Sequence, residues 1–113
     1  KGRVFMYNLV VFASGNGSTL QAIIDSINTG DLNAKINLVV SDNPNSYALE
    51  RAKSSNIPTY VIVGKSKEEI DTELDNVLSN YSIDLIVLAG YLKLIGNRLI
   101  SKYTCLLYTS DAA

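Results

Sequence analysis

Apolar runs of strand length alternate along this chain with stretches whose apolar residues recur at helical spacing. The first run, Asn8–Ala13, is apolar at nearly every position, as a central parallel strand covered on both faces should be. The next stretch places apolar residues on one face of a helix, at Leu20, Ile23, Ile24 and Ile27. Such alternation is typical of βαβ units. The sequence therefore predicts an α/β fold, with a Rossmann-like open, mostly parallel sheet and helices on both faces.

The later segments repeat this alternation. Further strands are predicted at Ile36–Val40, Thr59–Val63 and Leu85–Ala89. A short helix is predicted at Tyr47–Ser54, and Pro58 marks the limit of that segment. A last helix or turn is expected near Gly96–Lys102. The sequence shows no internal repeat, no low-complexity linker and no second domain.

Two helix starts carry the pattern of a capping box, in which a serine and a Gln or Glu three residues later satisfy each other's backbone N–H groups. Ser18 and Gln21 predict such a start for the first helix, and Gly30 suits the position after its end. Ser66 and Glu69 predict a second capping box. The helix that follows it has one apolar face, formed by Ile70, Leu74, Val77, Leu78 and Tyr81.

Composition excludes several classes of function. Ten Lys and Arg residues against eleven Asp and Glu leave a net charge of -1, so we expect neither nucleic acid nor a membrane surface as a partner. The apolar runs are far shorter than the about 20 residues that cross a bilayer. The single cysteine, Cys105, forms no intramolecular disulfide and is compatible with a reducing cytoplasm. The chain has no histidine, the commonest general base and metal ligand, so we expect no metal.

The turn Ser14–Thr19 has the composition that a bound phosphate requires. Ligands of open parallel sheets bind beyond the carboxyl ends of the strands, where strand order reverses, and this turn and Gly90–Ile95 are the candidate loops. Gly15 permits positive φ and close approach of an anion, with Asn16 beside it. Backbone N–H groups at a helix N-terminus, where the dipole favours negative charge, would come from Gly17, Ser18 and Thr19. A tight turn without a ligand uses the same residue types.

Spacing excludes two sharper interpretations of this turn. A dinucleotide fingerprint needs a third glycine three positions after Gly17, where the chain has Leu20. A Walker loop needs a lysine, and none lies between Arg3 and Lys35. Gly64-Lys-Ser66 fails as well, because the glycine that a Walker loop needs five positions earlier is Thr59. The turn therefore suits a single phosphate, and a dehydrogenase half is the weakest interpretation.

Several segments, in order, resemble the folate-dependent phosphoribosylglycinamide formyltransferases, also called glycinamide ribonucleotide transformylases. The resemblance runs from about Met6 to about Tyr103, and its most specific part contains Ser-Gly-Asn-Gly-Ser within the first segment. Related folate-dependent hydrolases and formyltransferases share the Leu-Ala-Gly/Arg-Tyr pattern of the last segment. The matching segments are Val11–Ile23, Val39–Asp42, Ala48–Ala52, Asn56–Pro58 and Asp84–Ile95.

The resemblance implies transfer of a formyl group from 10-formyltetrahydrofolate to the amine of glycinamide ribonucleotide, in purine biosynthesis. It implies these small molecules as partners, a cytoplasmic location and no metal cofactor. The family's phosphate-binding positions match Gly17, Ser18 and Thr19, supported by Gly15 and Asn16. Its folate-binding positions match Lys67, Leu92, Lys93, Leu94 and Ile95. A solvated surface position explains Lys67 equally well, and core packing would explain the apolar members of the set.

The family's catalytic residues have no counterpart in this chain. In the family an Asn and a His, in an Asn-x-His-Pro-Ser segment, and a later Asp polarise the formyl carbonyl, stabilise the oxyanion and move protons. Residues 104–113 do not follow this pattern, and Cys105–Ala113 resembles translated adaptor sequence. A naturally divergent end is the alternative, although it would leave the last strand of the sheet as an open edge. We therefore expect an upstream extension at 1–5, the N-terminal part of a formyltransferase domain at 6–103, a non-native tail at 104–113, and a sheet truncated before its later strands.

The sequence and its resemblance to this family predict two alternative functions. The first is a formyltransferase part that binds the ribonucleotide phosphate but is inactive as it stands, because the catalytic Asn, His and Asp are missing. The alternative is a stand-alone module of the same half-fold that binds a sugar phosphate or a nucleotide. Binding of glycinamide ribonucleotide, and its dependence on Gly17, distinguishes a working loop from an inert one.

Overall fold

Strands and helices alternate through the computed structural model, which describes residues 6–89 and the backbone of 107–110. The strands are β1 (Tyr7–Phe12), β2 (Ala34–Ser41), β3 (Thr59–Val61), β4 (Leu85–Ala89) and β5 (Leu107–Ser110). The helices are α1 (Ser18–Asn28), α2 (Tyr47–Ser54) and α3 (Lys67–Leu78). Each helix lies between two strands in the chain, as the sequence predicts.

The described strands form one parallel sheet in the order β3-β2-β1-β4-β5. The chain moves outward from β1 through β2 to β3 and then returns to place β4 on the other side of β1. At the carboxyl end of β1, Phe12 therefore lies between Val40 of β2 and Leu88 of β4. The order of strands reverses between β1 and β4, and ligands of this class of sheet bind at that edge.

The sheet buries apolar side chains on both faces, because residues along a strand point alternately to opposite sides. In β1, Val11 packs in the cluster that contains α1 and α2 residues, including Leu20, Ile24, Ala48 and Ala52. Val10 and Phe12 pack in the opposite cluster, with α3 residues Leu74 and Leu78. The molecule thus has three layers, and the predicted α/β fold with helices on both faces is confirmed.

The strand predictions hold with shifts at their ends. The fourth strand matches its predicted bounds, and β2 extends beyond them to Ala34 and Ser41. The third strand ends at Val61, whereas the sequence predicts Val63. The reason is a change of partner: Ile62 still donates to the Ser41 carbonyl, but the next N–H on that side of the strand, that of Gly64, donates to the Glu73 carboxylate. A side chain from α3 therefore binds the N–H group with which the strand would continue its pairing to β2.

The capping box predicted for α3 is confirmed. The Ser66 hydroxyl accepts from the N–H of Glu69 at 3.1 Å, and the Glu69 carboxylate accepts from the N–H of Ser66 at 3.2 Å. The same carboxylate oxygen accepts from the N–H of Lys65 at 2.7 Å. These bonds from two backbone N–H groups hold the pKa of Glu69 below its usual value. The start of α3 is therefore fixed by its own side chains.

The capping box predicted at Ser18 and Gln21 is wrong. Gly17 occupies the N-cap position in the left-handed region, at φ 82, without a side-chain cap. The Gln21 side chain has other partners, since its oxygen accepts from Arg51 and its nitrogen donates to Asp25. The other end of the helix behaves as predicted, because Gly30 follows it with φ +87. The start of α1 is therefore set by contacts with another helix, which local sequence does not encode.

Two predictions concern the far end of the chain. The helix or turn expected near Gly96–Lys102 lies outside the described residues. The strand β5 falls within the segment 104–113, and its backbone pairs with β4 from Leu107 opposite Ile86 to Ser110 opposite Ala89. Backbone pairing does not depend on the origin of the segment, so its assignment as a non-native tail stays a prediction.

The capping box gives a test of the fold. We expect Ser66→Ala to lower the free energy of unfolding by about 1 kcal/mol, because the Glu69 N–H loses its acceptor. Ser66→Asp keeps an oxygen at the same place and should remain close to the original stability. Urea denaturation followed by circular dichroism measures both. Equal losses for the two variants would show that the cap does not stabilise α3.

Candidate phosphate-binding site

The turn between β1 and α1 lies at the edge where strand order reverses. The N–H of Ala13 donates to the Val40 carbonyl at 2.9 Å, which keeps the chain in the sheet up to the start of the turn. The first intrahelical bond of α1 then runs from the N–H of Gln21 to the Gly17 carbonyl at 2.8 Å. The N–H groups of residues 18–20 have no acceptor within the helix, and they form the positive end of its dipole.

Gly17 is required at its position for two reasons. Its φ of +82 lies in the left-handed region, which other residues adopt at a cost. A Cβ atom there would also lie 2.7 Å from the Cα and 2.8 Å from the Cβ of Ala48. Gly15 differs: its φ is not positive, and a Cβ would meet nothing within 4 Å. The conformational freedom expected of both glycines is therefore used at Gly17 alone.

The N-terminus of α2 holds the carbonyl of Gly15. The Ser46 hydroxyl donates to this carbonyl at 2.6 Å, and the N–H of Ala48 donates to it at 3.3 Å. Ser46 also caps its own helix, because its oxygen accepts from the N–H of Ala48 at 3.2 Å. Ser46 is 4% exposed, so these bonds form out of contact with bulk water. One buried serine thus joins the start of α2 to the glycine turn.

Arg51, from the middle of α2, holds the next carbonyl of the turn. Its Nε donates to the Asn16 carbonyl at 2.7 Å, and Nη2 lies 3.4 Å from the Asn16 side-chain oxygen. Nη1 donates to the Gln21 side-chain oxygen at 3.3 Å. The guanidinium carbon lies 4.8 Å from the centre of the Tyr47 ring, in a cation–π contact. No local sequence pattern indicates this role of Arg51, because it depends on the packing of α2 against the turn.

Ser14 lies at the beginning of the turn, two residues after the end of β1. Its hydroxyl oxygen is buried and has no hydrogen-bond partner within the described part of the chain. A buried hydroxyl without a partner carries a desolvation cost of about 1 to 3 kcal/mol. The switch point thus holds a polar group that a further group could satisfy.

Of the expected folate-binding residues, Lys67 alone lies among the residues that the structure describes. Lys67 is exposed and is the first residue of α3, on the opposite face of the sheet from α1 and after the edge strand β3. The structure therefore does not bring it next to the glycine turn. The remaining members of that set, Leu92, Lys93, Leu94 and Ile95, lie outside the described residues. They follow β4, whose end is adjacent to the end of β1.

A carboxylate shapes the loop that precedes Lys67. Glu73 accepts from the N–H of Val63 at 2.8 Å, from the N–H of Gly64 at 2.9 Å and from the hydroxyl of Tyr60. Burial opposes ionisation of Glu73, but these three donors outweigh it and hold its pKa below the usual value. The same hydrogen bond, with burial, raises the pKa of Tyr60 to about 12. No local sequence pattern indicates this role of Glu73.

Neither a metal-binding cluster nor a membrane-spanning helix is found among the described residues. No cluster of three or more acidic, histidine or cysteine side chains could hold a metal ion in residues 6–89. No helix in the part of the chain that the structure describes is long and apolar enough to span a bilayer. An open, mostly apolar groove of about 370 Å³ lies at the opposite edge of the sheet, between α1 and the start of β2. It is remote from the glycine turn.

A parallel sheet with helices on both faces defines a Rossmann-like α/β protein, a class whose ligands bind at the carboxyl edge of the sheet. Residues 7–107 match the protein family described as formyl transferase. The chain belongs to that family.

The relatives of this chain carry a more specific name. It is 36% identical over 99 residues to the phosphoribosylglycinamide formyltransferase of Escherichia coli, covering 85% of this chain and 47% of that protein. It is 38% identical over 101 residues to the enzyme of that name from Haemophilus influenzae, covering 87% and 48%. The crystal structure of glycinamide ribonucleotide transformylase 1 from Geobacillus kaustophilus superposes with a TM-score of 0.87 at 40% identity, covering 93% and 57%. The chain thus spans about half the length of these relatives.

Matched substitutions at the two glycines of the turn test how closely the turn packs against α2. We expect Gly17→Ala to lower the free energy of unfolding by about 2 to 4 kcal/mol, because the new Cβ meets the Ala48 backbone and φ stays positive. Gly15→Ala adds the same methyl group into open space and should change stability by less than about 0.5 kcal/mol. Chemical denaturation of both variants measures the difference. Similar values would contradict the close approach of Gly17 to α2.

The Glu73 carboxylate predicts a dependence on pH. Its pKa is lower in the folded chain than the value of about 4.3 in an unfolded one, so its stabilisation is present above that value and is lost as pH falls through the folded pKa. Glu73→Gln should reduce stability at pH 7 by about 1 to 2 kcal/mol, because an amide nitrogen cannot accept from Gly64 or Val63. The difference in unfolding free energy between Glu73→Gln and the original chain should become smaller below about pH 4.

Glu68→Gln provides the control for this measurement. Glu68 is exposed in the first turn of the same helix, so the variant removes an equal charge without touching the β3–α3 loop. Unfolding free energies of all three chains between pH 3 and pH 7 make the comparison. A constant gap between Glu73→Gln and the original chain across this range would show that Glu73 ionisation does not stabilise the fold.

Proposed function

We propose that the glycine turn of this chain binds the phosphate of glycinamide ribonucleotide. The binding groups are the backbone N–H groups of Gly17, Ser18 and Thr19, with Gly15 and Asn16 supporting the shape of the turn. The observation that carries the proposal is the left-handed Gly17 at the N-cap of α1, at the edge where strand order reverses. A helix N-terminus at such an edge attracts an anion through its N–H groups and its dipole.

The proposal extends to the reaction of the whole protein. A chain of the length of its relatives would transfer the formyl group of 10-formyltetrahydrofolate to the amine of glycinamide ribonucleotide, in the cytoplasm, as a step of purine biosynthesis. The amine nitrogen attacks the formyl carbon and forms the new C–N bond. The bond between that carbon and N10 of the folate then breaks, while the amine loses one proton and N10 gains one. The names of the relatives support this assignment.

The role of the present chain is narrower. It has no histidine, so the general acid and base that the family supplies from its His is not available from these 113 residues. We therefore propose that this chain binds the ribonucleotide phosphate and performs no formyl transfer by itself. Lys67, Leu92, Lys93, Leu94 and Ile95 would form part of the folate site of a complete protein.

Binding experiments test the phosphate assignment. We expect titration of glycinamide ribonucleotide into the 113-residue chain to shift the backbone amide signals of residues 16–19 in NMR spectra. Ribose 5-phosphate and inorganic phosphate should shift the same signals, whereas ribose without phosphate should not. Gly17→Val should abolish the shifts and Gly15→Ala should keep them, provided that both variants give folded spectra. An original chain whose amide signals do not respond to any phosphate compound would overturn the proposal.

The same titration separates the formyltransferase part from a stand-alone module. A formyltransferase part should bind glycinamide ribonucleotide more tightly than ribose 5-phosphate, because its site also accommodates the glycinamide group. Equal affinities would favour a general sugar-phosphate module. An assay with 10-formyltetrahydrofolate should show no formyl transfer by the chain alone, and measurable turnover would contradict the proposed loss of catalysis.

A further inference from the structure

Two successive carbonyls of the glycine turn point toward the same helix. The Gly15 carbonyl accepts from Ser46 and Ala48 at the start of α2, and the Asn16 carbonyl accepts from Arg51 one turn further along. Both acceptors are therefore held on the side of the turn that faces α2. A third contact keeps the two segments close, because the Gly17 position leaves no room for a side chain against Ala48.

The direction of these carbonyls determines the direction of two N–H groups. The peptide bonds here are trans, and in a trans peptide the C=O and the N–H of the same unit point in opposite directions. With the Gly15 carbonyl toward α2, the N–H of Asn16 points away from α2. With the Asn16 carbonyl toward α2, the N–H of Gly17 points away as well. Successive N–H groups on one side of a turn form a concave anion-binding surface.

We propose that Arg51 is a positioning residue of the phosphate site, which holds the Asn16–Gly17 peptide so that its N–H faces the bound anion. This inference rests on the proposed phosphate-binding function. Arg51 acts through the turn and not on the ligand, because Nε, Nη1 and Nη2 each have a protein acceptor. The guanidinium also lies over the Tyr47 ring, in a cation–π contact.

The proposal distinguishes geometry from charge, because a lysine ammonium has the charge of Arg51 but not its planar fork of donors. Arg51→Lys retains the positive charge and removes the simultaneous contacts with Asn16 and Gln21. Arg51→Met removes both the charge and the contacts. Lys53→Met, on the same helix, removes a charge from a residue whose side chain is 59% exposed and 3.9 Å from Glu50. It serves as the matched control for charge.

The first experiment needs no ligand. One-bond N–H residual dipolar couplings, measured by NMR on the 113-residue chain, report the direction of the Asn16 and Gly17 N–H groups. We expect these couplings to change in Arg51→Met and Arg51→Lys and to keep their values in Lys53→Met, while couplings in β1 and β2 stay constant in all three. Unchanged couplings at Gly17 in folded Arg51 variants would overturn the proposal, whether or not the chain binds phosphate.

The second experiment measures binding of ribose 5-phosphate to the same variants. We expect Arg51→Met and Arg51→Lys both to weaken binding about tenfold or more, as loss of a charge-assisted hydrogen bond in a positioned site predicts. Lys53→Met should bind within twofold of the original chain, by the weakness of exposed charges. Full affinity in Arg51→Lys would show that charge alone matters and would refute positioning. Absence of binding by the original chain would refute the proposed function, while the dipolar couplings still decide the role of Arg51.

Discussion

The close contact between Gly17 and Ala48 is the constraint on which the site depends. The start of α1 can lie this close to α2 only with glycine at position 17, because a Cβ there would lie only 2.7 Å from the Ala48 backbone. With the two helices this close, Ser46 and Arg51 reach the carbonyls of the turn. The shape of the turn therefore comes from packing between two helices on one face of the sheet. The positive φ of Gly17 and its close approach to Ala48 occur together, and glycine is the residue that accommodates both.

The sheet places this local contact at the edge where ligands of open parallel sheets bind. The β1 strand lies between β2 and β4, so the glycine turn leaves the sheet at its centre, beside the end of β4. The apolar residues of β1 are buried on both faces, against α1 and α2 on one side and α3 on the other. A strand packed in this way cannot shift its register without exposing one set of side chains. The turn is thus held on a rigid support, as a site for a small anion requires.

The sequence predicted the alternation, the layers and the position of the turn, because each depends on periodicity within a short segment. It predicted the capping box of α3 for the same reason. It failed at the start of α1, where Arg51 takes the Gln21 side chain that a capping box would use. It also failed to identify Arg51 and Glu73, whose roles come from contacts between segments 35 and about 10 residues apart in the chain. Local patterns contain no information on such partners.

Two glycine-containing turns of the described sheet lead from a strand into a helix, and they differ in which backbone groups have protein partners. In the β3–α3 loop, the four consecutive N–H groups from Val63 to Ser66 donate to the carboxylates of Glu73 and Glu69. These N–H groups therefore have acceptors, and the two negative carboxylates lie where a bound anion would lie. In the β1–α1 turn, α2 contacts the carbonyls of Gly15 and Asn16 instead, and no carboxylate is seen to accept from the N–H groups of Asn16 and Gly17 within the described residues. The Gly64-Lys-Ser66 segment therefore resembles part of a phosphate loop in sequence, but its backbone is already neutralised by the protein's own acids.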